Sequence, residues 1–281
     1  MPVSVITGAN SGIGLETARA LSARGDRVLL VCRSQSKAEQ ASQEIAVRGG
    51  EAPEIIIGDL SSASDVKRIA DQIIQKTDRI DVLVNNAGAH FPSRMESVDG
   101  IEMNLALNHL AYFRLTSHLL PILRATDSAR IINVASRAHR VARLDFKDLE
   151  FSRRRYKAFT AYGTSKLMNI LFTRQFAELF GPDVATVNAV HPGVVRTGFG
   201  HDYAGWFSFL ARLASPFMVS AQKGAETTVH LAMSDEVTGI TGKYFSDKRQ
   251  TEPKPFALDL TTARKLWAVS EEYCGFVFGD S

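Results

Sequence analysis

Tyr162 and Lys166 stand four residues apart in the run Ala161-Tyr162-Gly163-Thr164-Ser165-Lys166. On a helix that spacing brings both side chains onto one face. A lysine cation beside a phenol favours the ionised form and lowers its pKa from the usual value of about 10. A tyrosine tuned in that way exchanges a proton near neutral pH. A second pattern lies far upstream, Thr7-Gly8-Ala9-Asn10-Ser11-Gly12-Ile13-Gly14. Its glycines, Gly8, Gly12 and Gly14, permit a tight turn and close backbone approach, and the helix that follows offers free N–H groups to a pyrophosphate. An apolar strand pattern precedes the loop and a helical pattern follows it, which is the context such a loop needs. Alone, the glycines also fit a plain strand–helix turn, and the pair also fits a half-buried tyrosine with a surface lysine. Together and in this order, the motifs predict a chain that binds a dinucleotide and moves a proton beside it.

The elements that must position these residues alternate along the chain. Short β-branched runs fall at Val3–Thr7, Arg27–Cys32, Glu54–Ile57, Asp81–Val84, Arg130–Val134, Thr186–Val190 and Lys243–Phe245. Helical patterns fill most gaps, at Gly12–Ala23, Lys37–Val47, Ser64–Lys76, Gly100–Arg124, Thr160–Phe180, Ala221–Met233 and Thr262–Glu272. Such alternation implies an α/β fold with parallel strands and helices on both faces. Right-handed crossovers then give one open, doubly wound sheet of about seven strands. Ligands in such sheets bind beyond the carboxyl ends of the strands, where Gly8, Asp59, Asn86, Ser136 and His191 fall. No repeat, low-complexity tract or linker divides the chain, so residues 1–281 read as one domain. Residues 1–135 form mainly its cofactor half, and 136–281 its catalytic and substrate half.

Composition narrows the function. The 281 residues are 45% apolar and 22% charged, an ordinary globular balance. A net charge of +3 is too weak an excess to argue for nucleic acid. The densest basic run, Arg153-Arg154-Arg155, reads as a solvated loop. Cys32 and Cys274 are remote from each other and form no metal-spaced pair, so a reducing, cytoplasmic setting is the simple expectation. His109 and His191 have no suitably spaced partners, and no metal is predicted. No signal peptide precedes the first strand, and no apolar run is long enough to span a bilayer.

Cofactor choice should be set just after the second strand, at Val31-Cys32-Arg33-Ser34. An acidic residue there would take the ribose 2′-hydroxyl of NAD. Arg33 instead offers a cation to a 2′-phosphate, which favours NADP(H). Lys37 could add to it or stay solvated. Asp59-Leu60 follows the third strand and could meet the adenine edge, although an Asp there also serves as a helix N-terminal turn residue. Asn85-Asn86-Ala87-Gly88 after the fourth strand reads as a cofactor floor or as a simple turn.

Thr7–Gly14, Asp59, Asn85–Gly88, Asn108, Ser136, Tyr162, Lys166 and His191-Pro192-Gly193, in this order, resemble the short-chain dehydrogenase/reductase superfamily across essentially the whole chain. Asn108-His109-Leu110, Val190-His191-Pro192-Gly193 and Gly242-Lys243-Tyr244-Phe245-Ser246-Asp247 look like its retinol dehydrogenase and WW-domain oxidoreductase branch. The resemblance implies a Rossmann-type domain. It implies Tyr162 as general acid in reduction and base in oxidation, and Lys166 as the group that lowers its pKa and holds the nicotinamide ribose. Ser136 would hydrogen-bond the substrate oxygen, and Asn108, rather than nearby Asn104, would help order a proton-relaying water. Gly8, Asn10, Ser11, Gly12, Ile13, Gly14, Asn86, Ala87 and Gly88 would line the cofactor. Pro192, Gly193 and Val195 suit a turn over the nicotinamide carboxamide. Thr197 would reach the pyrophosphate or start a helix.

Two features depart from the common family pattern. Ser136 and Tyr162 are unusually far apart, and Arg140–Phe159 reads as an insertion of the kind this branch carries. The branch often has an N-terminal membrane anchor that is not seen here, which implies a soluble enzyme. Residues 198–220 correspond to a mobile lid, and Trp206-Phe207-Ser208-Phe209-Leu210 within it suggests a lipophilic carbonyl or alcohol substrate or, equally, a packing face. The leading expectation is an NADPH-dependent carbonyl reductase. The alternatives are an epimerase or enone reductase on the same fold, or a non-catalytic NADP(H) sensor. The long Gly100–Arg124 and Thr160–Phe180 helices would also suit a homo-oligomer.

Overall fold

The computed structural model describes residues 1–48, 51–193 and 220–280. Among these residues the strands are β1 (Val3–Thr7), β2 (Arg27–Cys32), β3 (Glu54–Ile57), β4 (Val82–Asn85), β5 (Arg130–Val134), β6 (Thr186–His191), β7 (Tyr244–Ser246) and β8 (Arg249–Gln250). They form one sheet in the order β3-β2-β1-β4-β5-β6-β7-β8. All pairings are parallel except β7 with β8. The expected doubly wound sheet is therefore present, with β8 as a short antiparallel addition at the edge.

Helices α1 (Gly12–Arg24), α2 (Gln35–Val47) and α8 (Ala221–Met233) cover one face. Ile6, Leu30, Val84, Ile132 and Val190 pack beneath them. On the other face, Val5, Val31, Leu83, Ile131 and Val187 meet α3 (Ala63–Lys76), α5 (Ala111–His118) and α7 (Ala158–Val184). Neighbouring strand residues point to opposite faces, and both faces are buried, so the strands read as continuous apolar runs. The second face is rich in aromatic rings. Phe113 lies 5.0 Å from Trp267 and 4.8 Å from Phe278, centroid to centroid, which anchors α9 (Leu260–Cys274) and the chain after it.

Local chemistry sets several boundaries. The chain leaves α1 at Gly25, whose φ of 97° suits glycine and lets its N–H reach the carbonyls of Leu21 and Ser22. Ser62 caps α3 by accepting the Asp65 N–H. Asp259 does the same for α9 from Thr261 and Thr262.

The predicted continuous helix Gly100–Arg124 is instead broken into four pieces. It runs as α4 (Met103–Leu105), a π-turn at Ala106–Leu110, α5, and α6 (Leu120–Ala125). Pro121 explains the second break, because it cannot donate a backbone hydrogen bond to a continuing helix. The π-turn inserts an extra residue into the helical ladder around Asn108. In α7, helical geometry ends at Gly181 (φ 64°, ψ 178°), just before Pro182 and where the sequence pattern ends.

Candidate active site

The β1–α1 loop is built against the end of β4. Thr7 Oγ1 donates to the Val84 carbonyl at 3.2 Å and accepts the N–H groups of Asn86 and Ala87, each at 2.9 Å. The Asn86 amide donates to the carbonyls of Thr7 at 2.8 Å and Gly8 at 3.2 Å. A Cβ on Gly8 would lie 2.8 Å from Ala87 Cα, and one on Gly14 would lie 2.5 Å from the Gly8 carbonyl oxygen. Gly8 and Gly12 also have positive φ, 65° and 57°. Ser11 precedes α1 without capping it, and no acidic side chain occupies the first turn. This bare helix start behind a glycine cradle fits a dinucleotide pyrophosphate.

Tyr162 and Lys166 lie on α7, as their spacing predicts. The Lys166 ammonium is 5.8 Å from the Tyr162 ring centroid and 5.5 Å from that of Tyr112. It donates to the carbonyl of Val134, the last residue of β5, at 2.9 Å. Burial, at 3% exposure and without a carboxylate partner among the described residues, pushes Lys166 down to about 7. Ser136, just beyond β5, hydrogen-bonds Tyr162, which lowers the phenol, but burial outweighs this and raises it to about 12. In the protein by itself, burial therefore penalises the charged forms of both Tyr162 and Lys166.

Asn108, in the π-turn, is fully buried. Its Oδ1 accepts the Ala89 N–H at 2.8 Å, and its Nδ2 faces the carbonyl of Ala89 at 2.8 Å, Ser165 Oγ at 3.1 Å and Asn104 Oδ1 at 3.2 Å. A Cβ on Gly88 would meet Asn108 Oδ1 at 3.0 Å and Lys166 Nζ at 3.3 Å, so both groups border the space that this glycine leaves open. Asn104, singled out in sequence only as a position to be confused with Asn108, is hydrogen-bonded to it.

Residues 2–206 match the family described as short chain dehydrogenase. The chain belongs to that family. Human retinol dehydrogenase 12 is 40% identical over 274 residues, covering 97% of this chain and 86% of its own. Mouse retinol dehydrogenase 14 is 38% identical over 289 residues, with the same coverage of each chain, 97% and 86%. Within the family this short-chain dehydrogenase is retinol dehydrogenase-like. Among solved structures, an uncharacterized protein of Mycobacterium paratuberculosis is 32% identical with a TM-score of 0.81, covering 99% of this chain and 95% of its own. The NADP complex of RhlG from Pseudomonas aeruginosa is 27% identical with a TM-score of 0.70, covering 87% and 93%.

Other predicted positions of this short-chain dehydrogenase divide. Gly8, Asn10, Ser11, Gly12, Ile13, Gly14, Asn86, Ala87 and Gly88 gather at the carboxyl ends of β1 and β4. Pro192 and Gly193 follow β6, and Gly193 has a φ of 84°. Arg33 is exposed at the end of β2 and makes no ion pair or hydrogen bond among the described residues. The Asp59 carboxylate accepts from Ser61 N at 2.9 Å and Ser61 Oγ at 2.7 Å, so it serves the turn into α3. The Leu60 side chain is 6% exposed in the core, leaving only its backbone for a cofactor. Val195, Thr197 and the expected lid from 198 lie outside the described residues, except Ser220, which caps α8.

The Arg153-Arg154-Arg155 run is not simply solvated. The Arg154 guanidinium lies 3.8 Å from the centroid of the Phe151 ring and donates to the carbonyls of Arg143 and Asp148. Sequence reasoning also missed His139, which is fully buried. Its Nδ1 donates to the Ser136 carbonyl at 2.7 Å, and its Nε2 accepts the Lys254 N–H at 3.2 Å. Those two bonds fix one neutral tautomer. Among the described residues no helix is long and apolar enough to cross a membrane.

Proposed function

We propose that this chain is a carbonyl reductase, reversible as an alcohol dehydrogenase, that uses NADP(H) and takes a lipophilic aldehyde, ketone or alcohol. One observation carries the reading: a half-buried phenol, Tyr162, hydrogen-bonded to Ser136 and backed by the buried Lys166 at the end of β5. The dinucleotide, when bound, supplies or accepts the hydride. The chain's own residues manage the proton. At neutral pH a phenol raised to about 12 keeps its proton, the form that donates to a developing alkoxide. The Ser136 hydroxyl beside it gives that oxygen a second hydrogen bond. Lys166, near 7, exchanges its own proton close to neutrality. Oxidation requires Tyr162 to lose its proton, so that direction gains as pH rises, whereas reduction does not.

Arg33 and the absence of an acidic residue beside it support NADP(H) over NAD(H). A surface pocket of about 270 Å³ lies between the β1–α1 loop and α2, lined by Asn10, Ser11, Lys37, Gln40, Ala41 and Glu44, and Lys37 brings a cation to it. The NADP-bound relative supports the same choice. The retinol dehydrogenase relatives support a retinoid-sized, lipophilic substrate. So do Val141 and Phe159, exposed by 44% and 58% near the start of α7.

The test follows NADPH and NADH consumption with a panel of lipophilic aldehydes and ketones, for the wild type and Arg33→Asp. Turnover selective for NADPH is expected. Loss of one charge-assisted contact, about 1.5–3 kcal/mol, should move the cofactor ratio in the variant roughly ten- to a hundredfold towards NADH. No turnover while NADPH binds tightly would overturn the reductase reading, and an unchanged ratio would remove Arg33 from cofactor selection.

A further inference from the structure

The inserted segment between Ser136 and Tyr162 folds onto the site wall. The Asp148 carboxylate accepts the backbone N–H groups of Ser152, Arg153 and Arg154. Phe151 is 4% exposed beneath Arg154. This turn directs Tyr156 inward. Its hydroxyl accepts from Asn104 Nδ2 at 2.8 Å and lies 3.3 Å from Glu102 Oε1 and 3.2 Å from the Phe91 carbonyl.

Glu102 is only 1% exposed, an unusual place for a carboxylate. Among the described residues, only donors meet its two oxygens. Asn104 Nδ2 lies 2.7 Å from Oε1, the Tyr156 hydroxyl 3.3 Å from Oε1, and the Leu105 N–H 2.9 Å from Oε2. Asn104 thus directs its two amide hydrogens to Glu102 and Tyr156, so its Oδ1 turns to Asn108 Nδ2, 3.2 Å away. Asn108 in turn clamps both the N–H and the carbonyl of Ala89. Ala89 follows Gly88, whose open side-chain position is bordered by both Asn108 Oδ1 and Lys166 Nζ.

We propose that Glu102 is a positioning residue of the active site: acting through Asn104, its carboxylate fixes the Asn108 amide and the Gly88–Ala89 backbone beside Lys166, and Tyr156 makes that hold depend on the inserted segment. This rests on the proposed function, in which Lys166 exchanges a proton beside Tyr162. The chemistry requires a carboxylate. A glutamine at 102 offers acceptors at one end only, so its NH₂ would face either the Leu105 N–H or the Asn104 and Tyr156 donors. An aspartate is one methylene short.

The test compares wild type with Glu102→Gln, Tyr156→Phe, Asn108→Ala and Glu102→Gln/Asn108→Ala. Amide hydrogen exchange reads the clamp without any turnover. Protection of the Ala89 N–H should fall about tenfold or more in Glu102→Gln, and by less in Tyr156→Phe, while β1 and β5 amides stay protected. In the reductase assay Glu102→Gln should lower kcat about tenfold with little change in the KM for NADPH. The same substitution should cost little more once Asn108 is alanine, because the two act in series. Unchanged exchange at Ala89, or kcat losses that simply add, would overturn the positioning role. If Glu102→Gln fails to fold, Tyr156→Phe decides the point by the same exchange readout. Tyr162→Phe, assayed alongside, separates the two failures: near-normal turnover there refutes the functional reading, while the Ala89 exchange still judges the clamp.

Discussion

The β1–α1 loop and the Tyr162–Lys166 face flank the same end of the sheet but are made by different physics. The loop is a backbone construction. Thr7 and Asn86 satisfy its polar groups, and a Cβ at Gly8 or Gly14 would meet backbone at 2.8 and 2.5 Å. The catalytic face is a side-chain construction under electrostatic stress. Lys166 is buried with, among the described residues, one carbonyl as its hydrogen-bond partner, and the Tyr162 phenol is held up at about 12. A well-satisfied loop supports the fold as well as its ligand. A buried lone cation costs stability and is tolerated for what it does. The two regions should therefore fail in different ways.

The largest effect is expected on the catalytic face. Tyr162→Phe keeps the ring and removes the proton and the bond to Ser136. Turnover should fall by roughly 10²–10⁴, the usual worth of a positioned acid–base group. Binding of NADPH, followed by its fluorescence, should change little, because the glycine loop is untouched. A variant that kept near-normal kcat would end the proposed mechanism.

Lys166→Met sharpens the contrast by separating stability from function. The unfolded chain holds the Lys166 proton up to about 10.4, whereas the folded chain releases it near 7. Between those values the unfolded state binds more protons, so this residue makes the wild type more stable as pH rises. Methionine has no proton to release. The variant's advantage in Tm should therefore be greatest at pH 7 and below, and shrink towards pH 10. The linked change is about 5 kcal/mol at most, and the variant also loses the bond to Val134. Thermal melts across that pH range decide it: a gap that is flat with pH would mean that Lys166 is not held as a strained cation.

The two regions also differed in how far the sequence disclosed them. The glycine loop was legible because its spacing is local and only backbone shape is at stake. Most strand limits were legible because strands buried on both faces must be apolar throughout. Tyr162, Lys166 and Asn108 were placed by spacing and resemblance, but their electrostatics were not, since no local pattern encodes how deep a residue lies. Ala106–Leu110 looks like ordinary helix in sequence, and its π-turn is visible only once Asn108 has Ala89 to hold. Pro121 was a readable signal for the break before α6. Leu60 was assigned to the cofactor because Asp59-Leu60 follows the third strand, and its side chain lies in the core, which leaves its backbone for that role. Glu102 and Tyr156 gave no warning, because a glutamate is solvated on any prior until a buried set of donors is seen around it.

The mildest break is steric. Gly14→Ala adds one methyl group 2.5 Å from the Gly8 carbonyl oxygen and 3.0 Å from Ala9 Cα. These are backbone atoms within the glycine loop, so relief requires the loop to move off the start of α1. Overpacking of this kind costs about 1–3 kcal/mol. The shift displaces the N–H groups offered to the pyrophosphate, so NADPH affinity should weaken. The pH dependence of stability linked to Lys166 should remain that of the wild type, because no charged group has moved. A titration of NADPH fluorescence beside the same thermal melts tests both halves. Undiminished affinity would show that the cradle tolerates a side chain at Gly14. An altered pH dependence would show that the loop and the catalytic face are mechanically coupled, and the distinction between a backbone-built and a charge-built region would then fail.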